Sequence, residues 1–165
     1  MSNKALVRDA NGEYRVRKEP VSETEILEAA EEIVSRRFAR GQPLSTPDAS
    51  KELFKQKLGT SEQEIFAALF LDNRHRVLDY VPMFYGTIDG ATVHPREVVK
   101  AALRLNAAAV IFGHSHPSGV AEPSLADQSI TRRLQEALSL VDVRVLDHII
   151  VGGNDATSLA ERGLL

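Results

Sequence analysis

A run of seven consecutive apolar residues, Ile65 to Leu71, constrains the fold more than any other feature of the chain. Because it lacks alternating polar positions, such a run is typical of a β-strand that is buried on both faces. A second strand is expected over about His75 to Tyr85, broken by Pro82. Further strands are expected at Ala108 to Gly113 and at Val143 to Val151, where the chain is again apolar.

Two helices are predicted between these strands. The first begins at His94-Pro95 and runs to about Leu105, because proline is favoured in the first turn of a helix. The second extends from Ser124 to Leu140. Its inward-facing residues are predicted to be Leu125, Ile130, Leu134, Ala137 and Leu138. The resulting order β-β-α-β-α-β predicts an α/β fold built on a layered sheet.

Two more helices are predicted before the first strand. The capping-box pair Ser22 and Glu25 opens one of them, and the pair Thr46 and Pro47 opens the other. Residues 1–21 show no sustained hydrophobic period and are rich in polar side chains. We therefore interpret them as a loose arm.

The composition allows one ordinary globular domain and little more. The chain has 165 residues, and 43% of them are hydrophobic. We predict an N-terminal arm and helix over residues 1–44 and a main domain over residues 45–165. The net charge is −3 with both signs mixed along the chain, so nucleic acid binding is possible but is not supported by charge. No signal peptide and no run of 18 apolar residues is present, which predicts a cytoplasmic protein without a membrane span.

A metal site is predicted where the third strand ends. The chain contains no cysteine, which excludes thiolate zinc sites, including the zinc deaminase type. His114 and His116 stand two positions apart on an extended segment, so their side chains project to the same side. Asp127 follows in the first turn of the helix that Ser124 would cap. Two imidazoles and a carboxylate can together hold one zinc ion.

Hydrolysis is the chemistry that such a site predicts. A catalytic zinc keeps a fourth position for water and lowers the pKa of that water to around 7. A carboxylate within hydrogen-bond reach of the water usually moves the proton. Glu64, at the head of the first buried strand, is the candidate general base and subsequent acid, with Glu62 as the alternative.

The segment of residues 114–127 resembles the JAMM signature of JAB/MPN metalloproteases, and Glu64 matches the upstream glutamate of that signature. Similarity to the bacterial RadC proteins covers about residues 45–165. It is carried by Phe70-Leu71-Asp72, His94-Pro95-Arg96-Glu97-Val98, Leu146-Asp147-His148 and Glu161-Arg162-Gly163-Leu164-Leu165. The chain resembles a short form of RadC without the N-terminal helix-hairpin-helix module. Gly113 and Ser115 stand where the family pattern has alanine and asparagine.

The resemblance implies a three-layer sandwich with a mixed sheet, like that of cytidine deaminase, preceded by one or two N-terminal helices. It also implies that zinc is held by His114, His116 and Asp127 and that the substrate is a peptide or isopeptide bond in a protein tail. In that family Glu64 would shuttle the proton, and Ser124 would help to stabilise the oxyanion. Neither the identity of the substrate nor the oligomeric state is implied.

Each of these residues also has a purely structural interpretation. Ser124 and Asp127 have the pattern of an ordinary helix cap, and Glu64 by itself fits a charged residue at a strand edge. Asp147 and His148 are predicted either to form hydrogen bonds within a buried strand or to stand behind the metal.

A second function remains open at this point. The chain could be a non-enzymatic, zinc-containing module of a DNA-repair or mobile-element complex. The coordination of the metal would distinguish the two functions. A catalytic zinc keeps one coordination position open for water, whereas a structural zinc is ligated by protein on all sides. Arg132 and Arg133 are predicted to lie on a solvated helix face.

Overall fold

The computed structural model describes residues 6–8, 13–16, 20–37, 41, 43–44, 46–86 and 92–165. The chain divides into two compact units, residues 1–39 and residues 40–165. The domain boundary expected after residue 44 stays a prediction.

The first unit contains a short hairpin and one helix. Strand β1 (Leu6–Arg8) pairs antiparallel with strand β2 (Tyr14–Val16), and helix α1 covers Glu23–Arg37. The expectation of a loose arm over residues 1–21 is therefore wrong for these two strands. Each strand has three residues, which is too short to produce a readable period, and backbone pairing holds them together. The capping box that opens α1 is confirmed, since the Ser22 amide donates to Glu25 Oε2 at 2.9 Å and the Glu25 amide donates to Ser22 Oγ at 3.2 Å.

The second unit is built on a mixed sheet of five strands. Its helices are α2 (Pro47–Leu58), α3 (Pro95–Arg104) and α4 (Leu125–Ser139). Its strands are β3 (Ile65–Leu71), β4 (Val77–Tyr85), β5 (Ala109–Ser115), β6 (Arg144–Gly152) and β7 (Asp155–Ser158). The strand order is β4-β3-β5-β6-β7, with β5 and β6 parallel and the other neighbours antiparallel. The predicted α/β fold with a mixed sheet is confirmed.

Helices cover both faces of the sheet, as the buried central strands require. Helix α2 packs against β5, β6 and β7, and fully buried Phe54 reaches Gly113 on that face. Helices α3 and α4 pack against the other face. The core there contains Phe66, Ala68, Phe70, Val98, Ala102, Val110, Phe112, Leu134 and Leu138. Burying each of the larger of these side chains contributes about 1.5–3 kcal/mol.

Proline does not break strand β4. Pro82 was expected to interrupt this strand, yet pairing with β3 runs from Val77 to Tyr85. The register shifts beside Pro82, where Ala67 pairs with Pro82 after Phe66 has paired with Phe84. Since β4 is the edge strand, the missing N–H of the proline costs no hydrogen bond to a second neighbour.

Helix α4 begins with an exposed leucine. Leu125 was predicted to face inward, but its side chain is 82% exposed, whereas Asp127 is 4% exposed. Residues two apart on a helix point about 200° apart, so burying Asp127 turns Leu125 outward. The other expected element boundaries agree with the structure to within about two residues.

Strand β7 was not expected. It is a four-residue polar segment that returns along β6 after a turn at Gly153, whose φ is +58°. Residues 87–91, between β4 and α3, lie outside the described residues. None of the helices in the described ranges is long and apolar enough to cross a membrane.

Candidate metal centre

Two histidines lie at the carboxyl end of the central strand β5. His114 belongs to the strand, and the His116 amide donates to the carbonyl of Val151 at 2.7 Å, which continues the pairing of β5 with β6. The two rings are nearly perpendicular (86°), and their centroids are 4.9 Å apart. Because side chains alternate along an extended chain, both imidazoles project to the side on which α4 packs.

Asp127 approaches the two rings from the first turn of α4. The Ser124 hydroxyl accepts a hydrogen bond from the Asp127 amide at 3.1 Å, and the Ser124 amide donates to Asp127 Oδ2 at 2.7 Å. Asp127 Oδ1 lies 3.0 Å from His114 Nδ1, and Oδ2 lies 3.3 Å from His116 Nε2. The capping box thus also fixes the direction of the carboxylate.

The local electrostatics favour positive charge beside Asp127. Burial by itself would raise the pKa of Asp127, but the adjacent polar side chains of His114, His116 and Ser124 outweigh burial and hold the pKa far below its usual range. Asp127 in turn raises the pKa of His116, against the opposing effect of burial. The carboxylate is therefore ionised across the neutral range.

Glu64 enters the same site from the residue before β3. It is 9% exposed, and its Oε1 contacts Nε2 of His114. Ser115 anchors the neighbouring backbone, since its hydroxyl accepts from the Ile65 amide at 2.9 Å and donates to the Gln63 carbonyl at 3.3 Å. The serine that stands where the family pattern has asparagine therefore holds the segment that carries Glu64.

The donor atoms of this cluster fit a divalent cation. The Val120 carbonyl can only accept, so His116 Nδ1, 2.9 Å away, carries the ring proton. In the neutral ring, Nε2 and Asp127 Oδ2 are then two acceptors 3.3 Å apart, which require a proton or a cation between them. His114 Nδ1 is buried and, although Asp127 Oδ1 lies 3.0 Å away, it forms no hydrogen bond of normal geometry within the described part of the chain.

One ion can contact all three residues. Ligand atoms of His114, His116 and Asp127 lie within 4.8 Å of one another. Two imidazoles and a carboxylate are a donor set typical of zinc and other divalent transition metals. The site can therefore hold a metal ion.

A hydrogen-bonded pair lies directly behind Asp127. Thr131 Oγ1 donates to the Asp127 carbonyl at 2.6 Å, so it must accept from His148 Nδ1, which is also 2.6 Å away. Burial, with a smaller contribution from His114, lowers the pKa of His148 to about 3, which keeps its ring neutral. Through this pair, β6 supports the backbone of a residue in the candidate site.

Asp147 forms hydrogen bonds with a different part of the chain from those of its neighbour His148. Its carboxylate accepts from the Ser158 hydroxyl at 2.6 Å and from the Ala160 amide at 3.0 Å. It therefore ties the C-terminal segment to β6. Of the two interpretations of this pair, hydrogen bonding in a buried strand fits Asp147, and a position behind the candidate metal site fits His148.

A cavity of about 430 Å³ opens onto the cluster. Glu64, Ser124 and the three candidate ligands contribute to its lining. Its other walls include Phe66, Val93, Ile130 and Arg133. The alternative base, Glu62, is exposed and does not appear among the described residues that line the cavity. The volume suits a few residues of an extended peptide.

Comparison with known proteins agrees with this geometry. A family model described as the RadC-like JAB domain matches residues 44–164. The chain belongs to the RadC-like JAB family. This RadC-like chain is 58% identical to a protein from Marinobacter nauticus over 139 residues, which are 84% of this chain and 62% of the relative. It is 57% identical to a protein from Vibrio cholerae over 143 residues, which are 87% of this chain and 90% of the relative.

The relatives carry little functional information in their names. Both are called "UPF0758 protein", as is a Nitrosococcus oceani protein that is 61% identical over 126 residues. The chain spans less than two thirds of the Marinobacter relative's length. Family membership together with the His-His-Asp group indicates a JAB domain that can hold a metal ion.

Proposed function

We propose that the second unit is a zinc-dependent peptidase or isopeptidase in which Glu64 is the general base. The observation that carries the proposal is the position of Glu64, a buried carboxylate that contacts His114 and lines the cavity beside the three candidate ligands. A metal that only stabilised the fold would require no additional buried carboxylate at an open cavity.

His114, His116 and Asp127 are the residues that would hold the ion. When bound, zinc supplies Lewis acidity, which polarises a carbonyl and makes a water molecule more acidic. The His116 tautomer set by Val120 leaves Nε2 free for this purpose. Asp127 and the imidazole of His114 complete the donor set.

Glu64 would move the proton during hydrolysis. Its carboxylate would accept a proton from the attacking water and then give it to the nitrogen of the leaving amine. The surrounding structure favours this proton transfer. Ser115 holds the backbone on both sides of Glu64 and so limits the movement of the Glu64 side chain. Proton transfer over a short, fixed distance needs little reorganisation.

Ser124 is proposed to stabilise the oxyanion. Its hydroxyl donates to Asp127 Oδ2 at 2.7 Å and would have to turn toward the substrate. The backbone amide of Ser124 holds the same Oδ2 at 2.7 Å, so the carboxylate of Asp127 keeps a donor when the hydroxyl turns away.

The test compares two neighbouring glutamates. The wild-type chain, Glu64→Gln and Glu62→Gln are loaded with zinc and assayed with a library of quenched-fluorescent peptides and isopeptides, and the zinc content is measured by mass spectrometry. We expect Glu64→Gln to lower turnover by about 10²–10⁴-fold while zinc content is unchanged. We expect Glu62→Gln to retain the wild-type rate, because its carboxylate is exposed outside the cavity.

Three outcomes would contradict the proposal. One is the absence of cleavage by the zinc-loaded wild-type chain, which would favour a non-enzymatic role. Another is equal activity of Glu64→Gln and wild type. The third is loss of activity in Glu62→Gln alone, which would assign the base to the alternative residue.

A further inference from the structure

Arg133 lies on the solvated helix face that the sequence predicts and also borders the cavity. It follows Asp127 and Ile130 at intervals of three residues on α4, and all three line the same cavity. Arg133 and its neighbour Arg132 are both exposed, but Arg132 is not among the described residues of that lining. The predicted solvated helix face therefore fits both arginines, and Arg133 in addition borders the cavity.

The guanidinium of Arg133 is available to a ligand. Within the described ranges, Arg133 forms no ion pair with an acidic side chain. Apart from the histidines, it is the cationic residue that lines the cavity in the described part of the chain. A guanidinium presents a planar set of donors that matches the two oxygens of a carboxylate.

The spacing along α4 sets the separation of Arg133 and Asp127 along the helix. Arg133 follows Asp127 by six positions, which corresponds to about 9 Å along a helix axis. An extended peptide advances roughly 3.4 Å per residue, so the distance corresponds to two or three residues of substrate. Apolar Ile130 lies between the two positions on the helix, and Val93 and Phe66 add further apolar wall.

We propose that Arg133 selects substrates that carry a carboxylate within about three residues of the scissile bond. This inference rests on the proposed hydrolase function and names the substrate class of the same site. The carboxylate belongs either to an acidic side chain or to the C-terminus of the substrate. An apolar side chain between the carboxylate and the scissile bond would contact Ile130.

A carboxylate fits this site better than a nucleic acid phosphate does. Binding of a nucleic acid relies on several cations that contact successive phosphates. Here one guanidinium shares a cavity with the carboxylates of Glu64 and Asp127, and the chain as a whole has a net charge of −3. One arginine can bind a single carboxylate through two parallel hydrogen bonds.

Binding of a matched pair of small molecules tests the inference without turnover. Suberic acid monohydroxamate has a metal-binding hydroxamate at one end and a carboxylate at the other, and its twin has a carboxamide in place of the carboxylate. Calorimetry measures both dissociation constants with zinc-loaded wild type, Arg133→Gln and the matched control Arg132→Gln. We expect wild type and Arg132→Gln to prefer the carboxylate about tenfold, and Arg133→Gln to lose that preference.

A charge swap keeps the test specific to Arg133. Arg133→Glu should prefer a twin with a terminal amine over the carboxylate compound, because the sign of the contact is reversed. Equal binding of the twins by wild type would overturn the inference, as would an unchanged preference in Arg133→Gln. Failure of both compounds to bind the zinc-loaded protein would also overturn it, since the hydroxamate would have no anchor.

Peptide substrates then separate the sources of the carboxylate. Peptides are compared with glutamate or glutamine near the cleavage site, and with a free or an amidated C-terminus. A loss of rate on amidation assigns the preference to the C-terminus, and a loss on replacing glutamate assigns it to an acidic side chain. If Arg133→Gln instead weakened only the binding of a labelled single-stranded oligonucleotide, the carboxylate assignment would be wrong.

The two proposals fail in distinguishable ways. A carboxylate preference in the hydroxamate pair without any peptide cleavage would overturn the hydrolase proposal and leave the Arg133 contact supported. Peptide cleavage with equal binding of the twins would support the hydrolase and overturn the assignment of Arg133.

Discussion

Replacing Gly113 by alanine should destabilise the fold through one contact in the core. A Cβ atom at Gly113 would lie 1.9 Å from Cδ1 and 2.2 Å from Cε1 of Phe54, whose side chain is fully buried in the face covered by α2. Ordinary contact begins near 3.4 Å, so the ring or the strand would have to retreat by about 1.5 Å, the difference between 3.4 and 1.9 Å. A close-packed interior offers no free space for that movement.

The expected cost follows from the depth of this overlap. Overpacking a core typically costs 1–3 kcal/mol, and an overlap with a ring that cannot leave the interior belongs at the upper end, about 3 kcal/mol. For a chain of this size, that loss lowers the melting temperature by about 10 °C. Since Gly113 directly precedes His114, the displaced strand should also bind zinc more weakly.

A double-mutant cycle isolates the contact. Phe54→Leu removes much of the ring and should by itself cost about 1–2 kcal/mol. In the Phe54→Leu background, Gly113→Ala should cost about 1 kcal/mol or less, which gives a coupling of about 2 kcal/mol. The free energy of unfolding is measured by urea denaturation, with circular dichroism as the probe.

Gly153→Ala provides the matched control for the same change at a glycine. A Cβ atom there meets nothing within 4 Å, and only its positive φ of +58° opposes alanine. We expect a loss of roughly 1 kcal/mol, independent of residue 54. Additive losses for Gly113→Ala and Phe54→Leu would refute the reasoning, because they would show that the ring does not create the cost.

Two further predictions concern the pair Thr131 and His148, which lies behind Asp127. Thr131→Val keeps the shape of the side chain but removes the hydrogen bonds to the Asp127 carbonyl and to His148. It should destabilise the fold by about 1–3 kcal/mol and weaken zinc binding in a calorimetric titration, and an unchanged zinc affinity would contradict a positioning role. Burial lowers the pKa of His148 to about 3, so as the pH falls the unfolded chain binds the proton before the folded protein does. The free energy of unfolding of the metal-free protein should therefore fall by up to about 1.4 kcal/mol per pH unit between about pH 6.5 and pH 3. His148→Gln should remove that part of the slope, and equal slopes in both proteins would contradict it.

Much of the fold could be predicted because its central elements have simple patterns. The apolar run of β3 leaves few alternatives to a strand buried on both faces, and the capping boxes at Ser22 and Ser124 place two helix starts correctly. The short strands β1, β2 and β7 lack such patterns, because three or four residues are too few to show a period. The prediction that Leu125 faces inward is wrong, because hydrophobicity alone does not show which side of a capped first turn faces the core.

The candidate site, like the fold, could be predicted from the sequence only in part. The spacing of His114 and His116 on a strand and the start of α4 at Asp127 could be read locally, and the structure brings these residues together. The contacts that orient them join segments far apart in the chain. Thr131 meets His148 across 17 residues, and Ser115 holds Ile65 across 50. No local period or composition signals such pairs, so the supporting residues emerge only from the folded chain.

The central position of β5 has a consequence for motion. His114 is paired with β3 on one side and with β6 on the other, and its strand is buried throughout. Its amide hydrogen should therefore exchange with solvent only when the whole sheet opens, at a rate fixed by global unfolding. Residues 117–120 are exposed and lie outside the sheet, so their amide hydrogens should exchange faster. An ion in this site would accordingly escape on the side of His116, while His114 stays in place.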